Sequence, residues 1–598
     1  MDLRVARRRR RAQCRNWRAD HGSSRLFTFL LIAALAVAVA VVFWLARPQP
    51  APGAAAAGGS LVSSTRSEPR TFNRFVARDS TTETITFLTH ARLVRVNRAT
   101  FETEPMLAES WTRSADNLSY TLTLREGVAF SDGTPFTASD VVFSFRAAYD
   151  QKTHSSIGDI LRVDGKVLEV QAIDDHTVAI RFPSPFGPGI RLLDNLPIYP
   201  KHLLESALAG GTFKEAWGPK TAPAEMAGLG PFVLRQYLPG QRLVFDRNPH
   251  YWRQDASGVQ LPYLDRVTLE IVPDQNAELL RQQAGQIDCT QSEVRAEDYG
   301  TLKQAASAGR VRLHDLGAGL DADSLWFNLR KEAKMPETRR AWLQNVELRR
   351  AIAEAIDRTR FGETVFLGAA VPVFGPVSPA NKLWFDPQVP AVAFDRARAA
   401  GRLAAMGLKN RNRDGILEDR HGDQARWTLI TQKGNTALER GAAVIRDELR
   451  QIGLAVDVVP LEVGALVERL ERGDFEALYF RFLTTDLDPA LNLDFWLSSG
   501  SAHVWNRLQA TPATDWEKRV DELMARQAAT LDEAERKRLF GEVQRIFADE
   551  MPVLYFAAPR VFVATSARVL HATPALLRPM VLWSADTLAV QKTTGSTR

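Results

Sequence analysis

The stretch that decides the fold is PMLAESWTRSADNLSYTLTLREGVAFSDGTPFTASDVVFSF, residues 105–145. Within it, Leu118, Tyr120, Leu122 and Leu124 alternate with residues that carry hydroxyl groups. A period of two predicts a strand that buries one face. We therefore expect a half-buried strand at the centre of this segment.

A turn and a capped helix are predicted directly after this strand. Asp132 and Gly133 favour a tight turn, because glycine tolerates a positive φ and aspartate hydrogen bonds to its own backbone. Thr137 is a good N-cap for the helix that follows, with Asp140 near the free amides of its first turn. The tips carry no residue type of catalytic chemistry, which is typical of a scaffold that holds a ligand.

The same segment resembles the signature region of the extracellular solute-binding proteins, family 5, the peptide-binding proteins of ABC importers. Further stretches, GLGPF at 228–232 and RNPHYW at 247–252, are similar to other motifs of that family, and the resemblance covers residues 70–565. It implies an α/β, two-lobe fold of the class II periplasmic-binding-protein type. The lobes of such a fold are discontinuous in sequence, are joined by a hinge and close on a ligand.

This resemblance also implies how the chain is divided. Lobe I is expected to span residues 68–272 and lobe II residues 273–553, with residues 554–598 returning to lobe I. Strands and helices alternate between residues 427 and 482, which predicts a largely parallel sheet in lobe II. Upstream of them, Asn345 is expected to cap one helix that runs to Arg360.

The charge of the chain is concentrated at its N-terminus. The net charge is +6, and residues 1–25 alone carry +7, so the rest has a net charge of −1. A nearly neutral body has no electrostatic footprint for nucleic acid, which we do not expect as a partner. Residues 26–46 are apolar and long enough to span a bilayer as a helix, so residues 1–25 are expected to form a basic cytoplasmic leader.

Residues 47–67 are rich in Pro, Ala, Gly and Ser and are expected to form a flexible linker. Two outcomes stay open for the apolar segment before it. It is either an uncleaved transmembrane anchor or a secretory signal that is cleaved near the small residues 54–57. Both outcomes place the body on the periplasmic side of the bacterial inner membrane, anchored or secreted to the periplasm.

The sequence predicts neither an enzyme nor a metal or cofactor site. It contains no G-x-S-x-G and no H-E-x-x-H motif. Cys14 and Cys289 lie in the leader and in the body, so a disulfide between them is not expected. Residues 410–415 are similar to the start of a calcium loop, but its twelfth position is His421 instead of a carboxylate, which favours a plain polar turn.

The ligand is expected beyond the strand at residues 476–482, because open α/β sheets bind ligands outside the carboxyl ends of their strands. Asp486 and Asp488 follow this strand. In peptide-binding relatives an aspartate of the similar segment pairs with the amino terminus of the peptide, since a buried ammonium needs a partner. With Asp488 aligned to the family motif, that position is Thr485, and Asp486 lies one residue later. Alternatively, both aspartates cap the helix that follows.

Three more residues complete the predicted ligand site. Arg481, at the end of the strand, can bind a ligand carboxylate with two N–H groups. Trp496 and Trp505 are candidates for the walls of the cleft, and a role in the hydrophobic core is the alternative for both.

The predicted function is capture of short peptides between the lobes and their delivery to an ABC transporter permease, without a covalent step. Two alternatives stay open. One is a membrane-tethered ligand sensor or chaperone that uses the same fold. The other is a binder of a metal chelate, haem, an opine or a sugar.

Overall fold

The computed structural model describes residues 58–77, 79–483 and 486–591. The predicted leader at residues 1–25 and the apolar segment at residues 26–46 lie outside the described residues. Within the described ranges, none of the helices combines the length and the apolar character that crossing a membrane requires.

The first sheet corrects the prediction of a linker up to residue 67. Strand β1 (Ser60–Thr65) pairs in parallel with β10 (Arg266–Ile271). Leu61 on β1 is fully buried, and the hydroxyl of the buried Ser63 donates to the carbonyl of Cys289 at 2.8 Å. These contacts hold a strand in a sequence whose composition is that of a tether. Two antiparallel strands complete the sheet in the order β1-β10-β9-β8, namely β8 (Phe232–Leu238) and β9 (Arg242–Arg247).

The signature segment forms the second sheet. Strand β5 (Ser119–Leu124) buries Tyr120, Leu122 and Leu124, which confirms the period of two. The predicted turn and cap are also confirmed: Gly133 has φ +88°, and the Asp140 carboxylate accepts the Thr137 backbone N–H at 2.9 Å. The sheet is antiparallel in the order β4-β5-β7-β6. Its other strands are β4 (Ala108–Arg113), β6 (Glu169–Asp174) and β7 (Thr177–Arg181).

Short elements connect and cover these two sheets. A small hairpin pairs β2 (Val94–Val96) with β3 (Thr103–Pro105). The helices here are Ser80–Thr89, Ala138–Tyr149, Ser156–Ile160 and Lys201–Gly210, with 3-10 turns at Gly189–Asn195 and Pro223–Glu225. Both sheets and their helices share one hydrophobic core.

The third sheet has seven strands and corrects the prediction of a largely parallel sheet. Its strands run in the order β11-β17-β12-β16-β14-β15, with β13 added to β17. Only β14 is paired in parallel, with β15 and β16, and the other pairs are antiparallel. The cause is β12, which lies between β16 and β17 and is antiparallel to both, and β11 and β13 are likewise antiparallel to β17. The strands are β11 (Val311–Ala318), β12 (Asp323–Phe327), β13 (Ala370–Pro372), β14 (Arg426–Gln432), β15 (Ala455–Leu461), β16 (Ala477–Phe480) and β17 (Val553–Ser566).

Helices cover both faces of this sheet around two further cores. The helix predicted from Asn345 to Arg360 is two helices, because the Asp357 carboxylate accepts the N–H groups of Thr359 and Arg360 and starts a new one. The helices are Gln275–Gln283, Ala296–Ser307, Glu337–Gln344, Val346–Ala355, Arg358–Val365, Arg396–Ala405, Thr436–Arg450, Val463–Arg472, Leu493–Trp496, Asp515–Ala529 and Glu533–Glu550, with a 3-10 turn at Pro489–Asn492.

The chain passes twice between the cores, and the two crossings lie side by side. Cys289 forms β-bridges with Ser63 on one side and Thr565 on the other. Asp288 binds Arg568 through both carboxylate oxygens, at 2.7 and 2.5 Å. Strand β17 stays in the third sheet to Ser566, so the return to the first core begins after this residue and not at 554, the predicted boundary. Strands β18 (Val569–Leu570) and β19 (Ala589–Val590) then pack on the first core.

Candidate functional site

A large cleft lies between the first core and the cores of the third sheet. Its volume is about 2150 Å³. Its walls combine residues of the first half of the chain, such as Arg92 and Arg191, with residues that follow β16, such as Arg481 and Asp486. The cleft therefore opens at the carboxyl end of β16, the edge at which the sequence predicted a ligand.

Asp486 lines this cleft and is bound to an arginine from the opposite wall. Its Oδ1 lies 3.3 Å from Arg191 Nε and accepts the backbone N–H of Asp488 at 2.9 Å. Burial raises the pKa of Asp486, and the positive charge of Arg191 opposes this rise. The neighbouring Thr485, which aligns with the family aspartate, lies outside the described residues.

Arg191 is a functional candidate that sequence reasoning missed. It belongs to the 3-10 turn Gly189–Asn195, and its Nη1 donates to the carbonyl of Phe101 at 2.8 Å. Only 10% of its side chain is exposed, so the guanidinium is fixed in the wall of the cleft. The available signal was a lone arginine in the otherwise apolar run Gly189–Leu193.

Asp488 does not line the cleft, and the structure places it in the interior. Its two oxygens accept hydrogen bonds from Arg536 at 2.9 and 2.5 Å. Oδ1 also accepts the backbone N–H of Ala490 at 3.0 Å and so caps the 3-10 turn Pro489–Asn492. The capping role, which the sequence left open for both aspartates, fits Asp488.

Arg481 lines the cleft and forms a salt bridge with a buried aspartate of the third sheet. Its Nε lies 3.4 Å from Oδ1 of Asp323, a fully buried residue on β12. Asp323 also accepts the hydroxyl of Tyr479 at 2.6 Å. Burial raises the pKa of Asp323, while the charge of Arg481 counteracts it. The side chain of Arg481 is 22% exposed, so part of the guanidinium stays open to a ligand.

The two predicted tryptophans have different positions. Trp496 contributes to the cleft lining but is only 6% exposed, because its ring packs edge-on to Phe540 in a core of the third sheet at a centroid distance of 5.0 Å. Trp505 is fully buried and stacks parallel to Trp326 behind the cleft wall, at 6.3 Å. Trp505 therefore takes the core role that the sequence gave as its alternative.

Two arginines of the first half of the chain, also missed from the sequence, form another part of the wall. Arg92 and Arg98 both line the cleft and both lie against the ring of Phe87, with guanidinium carbons 4.1 and 4.6 Å from its centroid. Burial lowers the pKa of Arg92 to about 10, with Asp194 opposing and Arg98 adding to the effect. Because its walls carry both arginines and Asp486, the cleft can bind a ligand that has a positive and a negative group.

Comparison with known protein families and with related sequences leads to the same family of proteins. The model of the family "Bacterial extracellular solute-binding proteins, family 5 Middle" matches residues 102–503. A probable ABC transporter-binding protein of Deinococcus radiodurans is 26% identical over 87% of this chain and 90% of its own. The oligopeptide-binding protein AppA of Bacillus subtilis is 26% identical over 84% of this chain and 86% of its own.

Solved structures share the fold. The structure of Bacillus subtilis AppA in complex with a nonapeptide covers 90% of this chain and 100% of its own, with a TM-score of 0.68 and 25% identity. The substrate-binding protein CtaP of Listeria monocytogenes covers 89% of this chain and 99% of its own, with a TM-score of 0.73 and 23% identity. The mixed α/β architecture with a cleft between its halves is therefore that of periplasmic binding proteins.

Proposed function

The chain belongs to the bacterial extracellular solute-binding proteins, family 5, and from that premise we propose that it captures short peptides in its cleft and delivers them to the permease of an ABC importer. The periplasm is the compartment in which such a protein meets its ligand. Binding and release complete its cycle, with no covalent step.

The observation that carries this proposal is the pairing of Arg191 with Asp486 on opposite walls of the cleft. A peptide with free ends carries one ammonium and one carboxylate. Its ammonium can replace Arg191 on Asp486, and its carboxylate can bind an arginine that this exchange makes available. Each charge removed from water is then paired again, as burial requires.

The size of the cleft supports a peptide over a single small molecule. Pockets for drug-sized ligands have volumes of about 300–1000 Å³, and this cleft has about 2150 Å³. The relative AppA, whose structure holds a nonapeptide, supports the same ligand class. Within the cleft we assign ligand contacts to Asp486, Arg481 and Trp496.

The paired crossings at Asp288–Cys289 and Thr565–Arg568 support closure of the two halves around the ligand. A ligand that contacts both walls stabilises the closed state by its extra contacts there. For residues 26–46 we retain the proposal of a membrane anchor that keeps the body at the outer face of the inner membrane. Cell fractionation tests this, and recovery of all the protein as soluble chains that begin near residue 58 would contradict it.

The test of the ligand class is a titration of intrinsic tryptophan fluorescence in the purified body. We expect saturable changes with peptides of two to nine residues, since Trp496 lines the cleft. An oligosaccharide and a nickel–histidine chelate serve as controls. A flat response to all peptides, with a clear response to one of the controls, would reject the peptide assignment.

A further inference from the structure

Resting on the proposed function, we propose that Arg92 and Arg98 form a carboxylate subsite in the cleft, and that the protein therefore prefers acidic ligands. The carboxylate is either the C-terminus of the peptide or the side chain of an Asp or Glu within it. Both sources present the same planar pair of oxygens, which a guanidinium binds with two N–H groups.

The first argument is the fixed orientation of the two guanidinium groups. Both lie against one face or edge of Phe87, whose ring is itself buried beside Ala575 and Trp583. Cation–π contacts of this kind hold an arginine in place without using its N–H groups. These contacts therefore leave the N–H groups of both arginines unused.

The second argument is that these donors lack acceptors. Arg92 and Arg98 are only 8% and 9% exposed, and in each the buried Nε–H has no hydrogen-bond partner in the described part of the chain. Within the same ranges Arg92 forms no ion pair, and the carboxylate of Glu83 lies 3.9 Å from Arg98, too far for a hydrogen bond. A buried N–H donor without an acceptor is costly, and a ligand carboxylate bound by both arginines would remove this cost.

Other buried arginines of this chain show the contrast. Arg536 binds both oxygens of Asp488, and Arg358 donates to the carbonyl groups of Tyr555 and Ala353 at 2.8 and 3.1 Å. Those side chains are satisfied by the protein and lie away from the cleft lining. Within the cleft lining, Arg191 resembles Arg92 and Arg98, because its buried Nη2 also has no acceptor among the described residues.

The wall that results has a defined polarity. Asp486 is the carboxylate next to Arg191, and Asp194 lies close enough to affect the pKa of both Arg92 and Asp486. A peptide whose ammonium binds Asp486 can therefore extend along this wall and place a carboxylate on Arg92 and Arg98. Glu83 and Asp194 limit the positive charge there, which favours a single carboxylate over a strongly charged polyanion.

The test uses isothermal titration calorimetry with four pentapeptides. Two are polyalanine, with a free and an amidated C-terminus. The other two are amidated and carry Glu or Gln at the central position. One charge-assisted hydrogen-bonded contact corresponds to a preference of about tenfold or more. We expect this preference for the free acid over the amide if the C-terminus is the source, and for Glu over Gln if a side chain is. Equal affinity within both pairs would overturn the proposal.

Variants identify the residues responsible. We expect Arg92→Met and Arg98→Met each to remove most of the preference, so that the free acid and the Glu peptide bind no more tightly than the amidated polyalanine and the Gln peptide. Arg162→Met is the matched control, because Arg162 lines the same cleft but is 38% exposed and faces Asp159. If this variant loses the preference equally, or Arg92→Met keeps it, the assignment is wrong. Circular dichroism checks that each variant folds. If Arg92→Met does not fold, Arg92→Lys replaces it, because lysine keeps the positive charge but lacks the paired N–H donors of the guanidinium group.

A separate measurement distinguishes failure of this subsite from failure of the proposed function. If the amidated polyalanine and the Gln peptide bind as tightly as the free acid and the Glu peptide, peptide binding is intact and the subsite is refuted. If no peptide binds, the proposed function fails, and glutarate then decides the subsite alone. A rise in Tm with glutarate in the unmodified protein, absent in Arg92→Met, supports a carboxylate site, and no rise in either protein refutes it.

Discussion

Arg191 and Asp486 form a salt bridge across the cleft, with Nε 3.3 Å from Oδ1, although 295 residues separate them in the chain. Their side chains are 10% and 19% exposed, so the bridge is largely shielded from solvent. It joins the 3-10 turn Gly189–Asn195 of the first core to the loop after β16. A peptide with free ends needs one negative and one positive partner. In this structure Asp486 and Arg191 carry these two charges and hold each other in place.

Asp486→Asn tests the role of this carboxylate. We expect the affinity for peptides with a free amino terminus to fall at least tenfold, because a neutral amide replaces the partner of the ammonium. N-acetylated peptides serve as an internal reference and should change little. Asp164→Asn is the control variant, since Asp164 also lines the cleft but is exposed and binds Ser184. Unchanged affinity of Asp486→Asn for free peptides would show that the ammonium binds elsewhere.

Asp488 and Arg536 should matter for stability. Each side chain is 6% exposed, and removal of either partner leaves a buried charge alone. We expect Asp488→Ala to lower the free energy of unfolding by about 3 to 5 kcal/mol in a urea titration. Arg538→Ala, which removes an exposed arginine of the same helix Glu533–Glu550, should cause no measurable loss. If Asp488→Ala were as stable as the unmodified protein but bound peptides more weakly, Asp488 would have to be assigned to the ligand site after all.

His90 should make stability depend on pH. Burial lowers its pKa from 6.5 to about 3, with Arg92 adding to the effect. The unfolded chain takes up a proton below about pH 6.5 that the folded protein refuses, so stability falls as the pH falls from 6.5 towards 3. At pH 5 the contribution of His90 amounts to about 2 kcal/mol. We expect His90→Phe, which keeps a ring against Tyr199, to show a smaller loss between pH 7.5 and 5. Parallel losses in both proteins would contradict this.

Cys289 should be unreactive until the protein unfolds. It is fully buried between Ser63 and Thr565, and burial raises its pKa to about 12. In a Cys14→Ser variant, which leaves Cys289 as the sole thiol, we expect no labelling by a thiol reagent at pH 7.5 and complete labelling in urea. Rapid labelling of the folded variant would mean that the crossing opens frequently.

Local patterns accounted for the elements that local interactions form. The alternation at Tyr120–Leu124 and the cap at Thr137 depend on neighbours in sequence, and both predictions are confirmed. Strand β1 was missed because its composition is that of a linker and its stability comes from β10, about 200 residues away. The position of β12 between β16 and β17, antiparallel to both, likewise depends on pairing that no local pattern encodes.

The site divides in the same manner. The place of Asp486 and Arg481 in the cleft lining could be predicted because both lie at the end of a predictable strand. Asp488 and Trp505 are of the right residue types, but in the interior Asp488 pairs with Arg536 and Trp505 stacks on Trp326. Arg92 and Arg98 carry no sequence signal of a site and Arg191 only that of a lone arginine in an apolar run, because the tertiary fold alone brings the three to one wall.

Cys289 is bridged to Ser63 on one side and to Thr565 on the other, so the two halves are joined by a narrow hinge of adjacent extended segments. Twisting about the common direction of these strands preserves their backbone bonds, whereas sliding one half past the other would break them. We therefore expect the two halves to move relative to each other mainly by this rotation. A single distance measured between labels on the two halves would report the whole cycle of uptake and discharge.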